Sequence, residues 1–304
     1  MSRAGTVALV GRPNAGKSTL MNRLLEEKVA IVSDKPQTTR QRLVGILSNE
    51  RGQMVFYDTP GVHRPLHRLN RQMLRHAMAA MDDADALCLL VDAAVPAGAG
   101  DAYMLELVGK ARESQGKCVL VLNKIDKVRK PDLLPRIDRY ARSGLFAEIV
   151  PISAATGDGC DRLLEALWRL LPEGPAIYDP ELLTIHPERF LAAERIREKV
   201  LAATREELPF ATAVAIDRWE EEEEGRDLLR LYASILVERP GQKKILVGRQ
   251  GQMIKSIGIA ARQDLEEFLG RRVYLDLQVR VEPGWREDRA QLARLDRDVD
   301  VDLT

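Results

Sequence analysis

The chain has 304 residues, 45% of them hydrophobic and 30% charged, which suits two domains that each bury a core. Lys+Arg and Asp+Glu stand at 46 each, so the net charge is zero. That excludes a protein held on nucleic acid by overall charge, but leaves room for a local basic face. No apolar run approaches the ~20 residues of a membrane span, and "MSRAGTVALVGRPN" lacks a signal-peptide pattern, so a cytoplasmic protein is expected.

In chain order, short apolar runs alternate with helix-length segments. The predicted strands are "TVALVG" (6–11), "QMVFYDTPG" (53–61), "ALCLLVDA" (86–93), "CVLVLNKID" (118–126) and "EIVPISA" (148–154). The predicted helices span 18–27, 69–81, 102–113, 133–142 and 160–171. Such alternation predicts an α/β domain with a mainly parallel sheet, assigned to 1–172, whose ligands sit beyond the carboxyl ends of the strands. Cys88, Cys118 and Cys160 form no C-x-x-C pair and read as core-filling thiols. His63, His67, His76 and His186 show no metal-ligand spacing, and His63 and His67 read as solvated surface in a mobile region.

"LPEGPAIYDPEL" (171–182) carries three prolines and a glycine and reads as an inter-domain linker, drawn at 173–188. An amphipathic helix over 189–207 follows. Its mixed charges favour packing within the second domain over a membrane surface. Two strands then flank Glu220–Glu224, read as a solvated hairpin tip. "KKILVGRQGQMIKSIG" (243–258) reads as a strand, a Gly-x-x-Gly turn and a helix start. "RRVYLDLQVRVEPGW" (271–285) reads as an alternating strand. The second domain is thus α+β over 189–285, with a tail at 286–304. Ile245, Val247, Ile254 and Ile257 are expected to build its core.

Two glycine turns in one chain ask for two phosphate ligands. "GRPNAGKST" supplies Gly11, Arg12, Pro13, Asn14, Ala15, Gly16, Lys17, Ser18 and Thr19. It follows a predicted strand and opens a predicted helix. Backbone N–H groups there meet negative charge, Lys17 reaches the β- and γ-phosphates, and Ser18 ligates Mg²⁺. "DTPG" places Asp58, Thr59, Pro60 and Gly61 at a strand end, with Asp58 toward Mg²⁺ and the Gly61 N–H toward a γ-phosphate. Thr39 of "QTTR" is favoured as the hydroxyl that caps the metal, with Thr38 as the alternative. Lys17, Thr39 and Gly61 are the catalytic candidates; Ser18, Thr39 and Asp58 are the metal candidates. "NKID" places Asn123, Lys124 and Asp126 at another strand end. A carboxylate at Asp126 can accept from both the N1–H and the exocyclic amine of guanine, a pair adenine lacks. Ser153 and Ala154 end the last strand, with the Ala154 N–H expected at the guanine O6. These four elements in order predict a GTPase that binds GTP and GDP. Val62 stands where small GTPases carry a water-orienting glutamine, so slow intrinsic hydrolysis is expected.

"GRPNAGKST", "QTTR", "DTPG", "NKID" and "SA", followed by "ERPGQKKILVGRQGQMIKSIG", resemble the bacterial Era GTPases over about residues 7–285. The resemblance implies a P-loop GTPase joined to a type II KH domain. It implies binding of 16S rRNA near its 3′ end and a role in assembly of the small (30S) ribosomal subunit. It also implies loose peripheral membrane association, which no residue here shows. In a related group of GTPases an asparagine at the position of Asn14 helps to hold K⁺. KH domains clamp single-stranded backbone with a GXXG loop. Here the candidates are Lys243, Lys244, Gly248, Arg249, Gln250, Gly251 and Lys255, within a stretch, 239–255, that holds five basic residues and no acidic ones. No Lys-Ser follows this turn, so it is not a second triphosphate loop. A monomer is expected. The alternative reading is an RNA-binding module whose nucleotide is structural and never turns over.

Overall fold

The computed structural model describes residues 2–62, 68–115, 117–221, 227–288 and 291–292, with the backbone alone at 112–115. His63, His67, Glu222, Glu223, Glu224 and residues 293–304 of the expected tail lie outside the described residues. The chain divides into two compact units. One comprises Met1–Leu66 and Asn70–Ile185; the other comprises His67–Leu69 and His186–Thr304.

The first unit is built on a six-stranded sheet. Its strands are β1 (Arg3–Gly11), β2 (Leu43–Asn49), β3 (Gly52–Asp58), β4 (Ala86–Asp92), β5 (Cys118–Asn123) and β6 (Glu148–Pro151), in spatial order β2-β3-β1-β4-β5-β6. All neighbours pair in parallel except β2, which runs antiparallel to β3 at the edge. Val7, Ala8, Leu9 and Val10 are all buried, so β1 is covered on both faces, as a central parallel strand must be. The helices are α1 (Lys17–Leu25), α2 (Arg68–Asp83), α3 (Ala99–Gln115), α4 (Lys130–Ala141) and α5 (Cys160–Leu170). Ala77, Met81, Met104 and Val108 pack on Leu87, Leu89, Leu120 and Leu122. Cys88, Cys118 and Cys160 are buried thiols. β2 is one strand more than the apolar runs announce. It is completed from outside its own sequence.

The expected linker supplies that completion. The Ile46 N–H donates to the Leu183 carbonyl at 2.8 Å, and Thr184 Oγ1 donates to the Val44 carbonyl at 2.6 Å. Gln53, 1% exposed, accepts from the Ile177 and Tyr178 N–H groups at 2.8 Å each and donates to the Tyr178 carbonyl at 2.9 Å. Residues 177–185 are therefore a strap that blunts the β2 edge, not an open connector. Its one proline, Pro180, stands in a turn closed by the Leu182 N–H donating to the Asp179 carbonyl at 3.1 Å.

The second unit runs α6 (Glu188–Ala203), α7 (Leu208–Ala211), β7 (Ala213–Glu221), β8 (Leu228–Val237), α8 (Pro240–Val247), α9 (Gln252–Leu269) and β9 (Arg272–Val281). Its sheet has order β7-β8-β9, antiparallel then parallel. α6 spends its apolar side inside the unit, where Ala192, Ile196 and Val200 join Ile235, Ala261 and Leu265. Buried Arg195 pairs with Asp264 at 2.7 Å. The membrane-surface reading of this helix has no apolar face left to use.

One expectation is corrected here. "KILV" is the end of α8, not a strand. Pro240 stands in the first turn, and Gln242 Oε1 accepts from the Glu238 and Arg239 N–H groups at 2.9 and 3.0 Å. These are helix-start devices that a four-residue apolar run does not reveal. The helical period buries Leu246 and leaves Ile245 52% exposed. Ile245 is therefore not a core residue, whereas Ile257 is buried and Val247 and Ile254 pack against the cluster.

Candidate functional site

The first cleft lies at the carboxyl end of β1. The loop after Gly11 turns through Asn14 at φ 62° and Gly16 at φ 97° into α1. Gly16 is required: a Cβ there would stand 2.2 Å from Asn123 Nδ2. A cleft of about 250 Å³ opens above the loop, lined by Pro13, Asn14, Lys17, Thr19, Gly61 and Lys124 among others.

Three oxygens converge at its floor. Ser18 Oγ donates to Asp58 Oδ2 at 2.5 Å, Thr39 Oγ1 donates to the same oxygen at 3.1 Å, and the two hydroxyls are 2.9 Å apart. Thr38 instead donates to the Lys35 carbonyl at 2.7 Å. Of the two threonines, Thr39 is therefore the one at the floor. Asp58 is fully buried, and its Oδ1 has no hydrogen-bond partner among the described residues. Burial raises its pKa above the ordinary carboxylate range, opposed by Lys17 and by the bonds from Ser18 and Thr39. Lys17, 6% exposed, is shifted the other way: burial lowers its pKa and Asp58 opposes the change. A buried carboxylate oxygen without a partner, two hydroxyls and a desolvated ammonium suit a hard divalent cation carrying phosphate. The residues present fit Mg²⁺.

Around this floor, Thr59 Oγ1 donates to the Leu9 carbonyl at 2.7 Å and Pro60 is buried, which fixes the "DTPG" turn against β1. The Gly61 backbone lies against Pro13. Val62 donates its N–H to the Gly11 carbonyl at 3.0 Å and turns its side chain into the core, 3% exposed. It offers the cleft no polar group. The Arg12 side chain is committed elsewhere, to buried Asp101 of α3 at 3.1 Å. Its share of the loop is backbone. Asn14 Nδ2 donates to the Asp34 carbonyl at 2.7 Å.

Asn123 joins the three loops of the site. Its Nδ2 donates to the Ala15 carbonyl at 2.8 Å, while its Oδ1 accepts from the Lys124 and Ala154 N–H groups at 2.8 and 2.9 Å. The Ala154 N–H, expected at a guanine O6, donates to Asn123 Oδ1 in this structure. Lys124, at φ 67°, sends Nζ to the Asn14 carbonyl and to Asp92, both at 2.7 Å, so it braces the loops. Exposed Asp126 sits in a 3₁₀ turn, Ile125–Lys127, and accepts from Ser153 Oγ at 2.6 Å. Sequence reasoning leaves out Arg23, which donates to the Ala154 and Ala155 carbonyls at 3.3 and 2.6 Å. No motif marks that position.

The second candidate site lies in the other unit. Gly248 ends α8 at φ 73°, where a Cβ would stand 2.7 Å from Met253 Cβ. Arg249 and Gln250 form an exposed tip, with Gln250 in the left-handed region at φ 51°, and Gly251 leads into α9. Lys243, Lys244, Arg249 and Lys255 are all exposed. Four cations around a turn of exposed backbone, facing no carboxylate between 239 and 255, form a local positive field on a neutral chain.

The fold and site together define a P-loop GTPase joined to a KH domain. Family models agree. Residues 6–124 match a family described as 50S ribosome-binding GTPase, and residues 207–286 match a KH domain. GTPase Era of Syntrophus aciditrophicus is 45% identical over 292 residues, covering 96% of this chain and 94% of that protein. GTPase Era of Leuconostoc citreum is 46% identical over 290 residues, covering 95% and 94%. A single-substitution variant of Aquifex aeolicus Era, bound to GDP·AlF4⁻, superposes with a TM-score of 0.93 at 37% identity, covering 98% of this chain and all of that one. Era in complex with MgGDPNP and nucleotides 1506–1542 of 16S ribosomal RNA does so with a TM-score of 0.93 at 38% identity, covering 99% and 100%. This chain belongs to the Era GTPase family. Among the described residues, no helix is long and apolar enough to cross a membrane.

Proposed function

We propose that this chain holds GTP or GDP with Mg²⁺ at the first glycine loop and hydrolyses GTP there. It grips 16S rRNA near its 3′ end at the second loop, in the assembly and maturation of the small (30S) ribosomal subunit. The observation that carries this reading is the pairing of two chemically different glycine turns in one chain. One is backed by Lys17 and a buried carboxylate; the other is backed by exposed cations alone. The related structure that contains MgGDPNP and the 16S fragment supports it.

In this reading the N–H groups of 12–18 and the start of α1 receive the phosphates, and Lys17 meets the β- and γ-phosphate oxygens. Ser18, Thr39 and Asp58 hold Mg²⁺, which when bound neutralises charge between β- and γ-phosphates. Asp126, fixed by Ser153, accepts from the guanine N1–H and amine. Gly61 offers its N–H to the γ-phosphate. Val62 cannot orient water, so polarity has to come from elsewhere. Asn14 and the Asp34 carbonyl stand 2.7 Å apart, and turning the amide over would present two oxygens to K⁺. GTP draws Thr39 and Gly61 onto the nucleotide, and hydrolysis releases them, which makes the chain a switch. The chain acts as a monomer. Loose membrane association rests on the family resemblance alone.

The test is the affinity for an RNA from the 3′ end of 16S rRNA, measured with GDP and with a non-hydrolysable GTP analogue. Tighter binding with the analogue is expected. Gly251→Asp, which places a negative charge at the tip, should weaken RNA binding and leave GTP affinity unchanged. An equal loss of both would refute the division of labour. Phosphate release faster in K⁺ than in Na⁺ is expected. No release in either, even with ribosomal subunits present, would favour a structural nucleotide.

A further inference from the structure

The base-binding side of the cleft rests on one cation that no motif contains. Arg23 lies on α1, six residues beyond Lys17, or about 9 Å along the helix axis at 1.5 Å per residue. Its guanidinium reaches across to the loop after β6. Nε donates to the Ala154 carbonyl at 3.3 Å and Nη2 to the Ala155 carbonyl at 2.6 Å. The same loop carries Ser153, whose hydroxyl holds Asp126 Oδ1 at 2.6 Å and accepts from the Thr156 N–H at 3.2 Å. Its Ala154 N–H is held by Asn123 at 2.9 Å. These other anchors come from the loop's own backbone or from the Asn123–Asp126 segment. Arg23 ties it instead to the helix whose first turn receives the phosphates.

We infer that Arg23 is a positioning residue for guanine selection: it fixes the 153–157 loop so that Ser153 aims the Asp126 carboxylate at the base. It touches no part of the nucleotide itself. This rests on the proposed guanine site. A guanidinium suits the task because its rigid fork meets two successive carbonyls at once, whereas an ammonium meets one well. The effect falls on the exocyclic amine of guanine, because a carboxylate that drifts loses its two-point match to N1–H and NH₂ first. Hypoxanthine keeps N1–H but lacks that amine. It therefore reports on the aim of Asp126.

The experiment is the dissociation constant of GDP and of IDP, each with Mg²⁺, for the full chain and for Arg23→Ala, Arg23→Gln and Arg23→Lys. The wild-type chain is expected to prefer GDP. In Arg23→Ala, GDP affinity should fall about tenfold, the equivalent of one charge-assisted hydrogen bond, and IDP affinity about threefold or less, so the preference narrows. Arg23→Lys should recover part of that ratio. Arg23→Gln keeps the side chain only as far as the Nε position, loses the charge and the Nη2 donor, and gives the same reading if the alanine variant does not fold. An equal loss of GDP and IDP, or no loss of either, would overturn the positioning role while leaving guanine binding intact. A wild-type chain without preference for GDP would instead overturn the guanine site itself, and this role with it.

Discussion

Replacing Asn123 by alanine tests whether the three nucleotide loops form one unit. Asn123 is 2% exposed and makes three hydrogen bonds, to Ala15, Lys124 and Ala154. The truncation strands a carbonyl and an N–H that are fully buried, and a second N–H that is part-buried. Each buried group left unpaired costs about 1–3 kcal/mol. A water entering the space left by the amide can satisfy one of them. The first unit should therefore lose about 2–4 kcal/mol, a large share of the ~5–15 kcal/mol that holds a typical domain. Because the chain has two compact units, a single global transition is the wrong readout. Hydrogen exchange in increasing urea, followed peptide by peptide, separates them. Peptides from β1, β5 and β6 should open about 2–4 kcal/mol more easily, and those from β8 and α9 should be unchanged. A loss under ~1 kcal/mol, or an equal shift in both units, would show that Asn123 does not join the loops.

Three further outcomes follow from the geometry. Gln53→Leu removes the clamp on residues 177–178 and should cost about 2–3 kcal/mol. Chymotrypsin should then cut near Tyr178 and Leu182 faster than in the wild type; an unchanged rate would mean the strap is held without Gln53. Asp58 has a raised pKa, so without metal the native state holds its proton more tightly than the unfolded chain. Its contribution to stability is full below the unfolded pKa and is lost as pH rises through the folded one. Below the folded pKa, Mg²⁺ competes with that proton. Apparent Mg²⁺ affinity of the GDP complex should fall as pH drops below the folded pKa, by up to about tenfold per unit, and Asp58→Asn should abolish both the affinity and the slope. A wild-type titration flat with pH would rule out competition at this carboxylate. Finally, Thr39→Ala should weaken Mg²⁺-dependent binding of a GTP analogue by about tenfold or more, while Thr38→Ala should change it less than threefold. The reverse ranking would exchange their roles.

The phosphate loop was legible in the chain itself because it is a local object. Gly11, Gly16, Lys17 and Ser18 are close in space as well as in sequence, and β1 and α1 on either side follow from hydrophobic pattern alone. The same holds for Asp58, at the end of the apolar run that forms β3, and for Asp126, three residues beyond β5. The GXXG turn was legible too, but the element before it was not. An apolar "KILV" fits a strand or a helix equally, and Pro240 with Gln242 decides for the helix.

Tertiary structure decided whatever depends on which distant backbone groups need partners. Thr38 and Thr39 are neighbours of one type, and only the return of their loop to Asp58 separates them. The Ala154 N–H goes to Asn123 because that buried oxygen needs donors. A proline-rich segment became an edge-covering strap because the Val44 carbonyl and the Ile46 N–H lie on the outer edge of β2, and Gln53 could not be buried without partners. Arg23 became part of the site by a contact 131 residues away in sequence. Composition and periodicity set the elements and the chemistry they carry. Hydrogen-bond satisfaction between distant segments, which no local pattern encodes, set where each functional atom points.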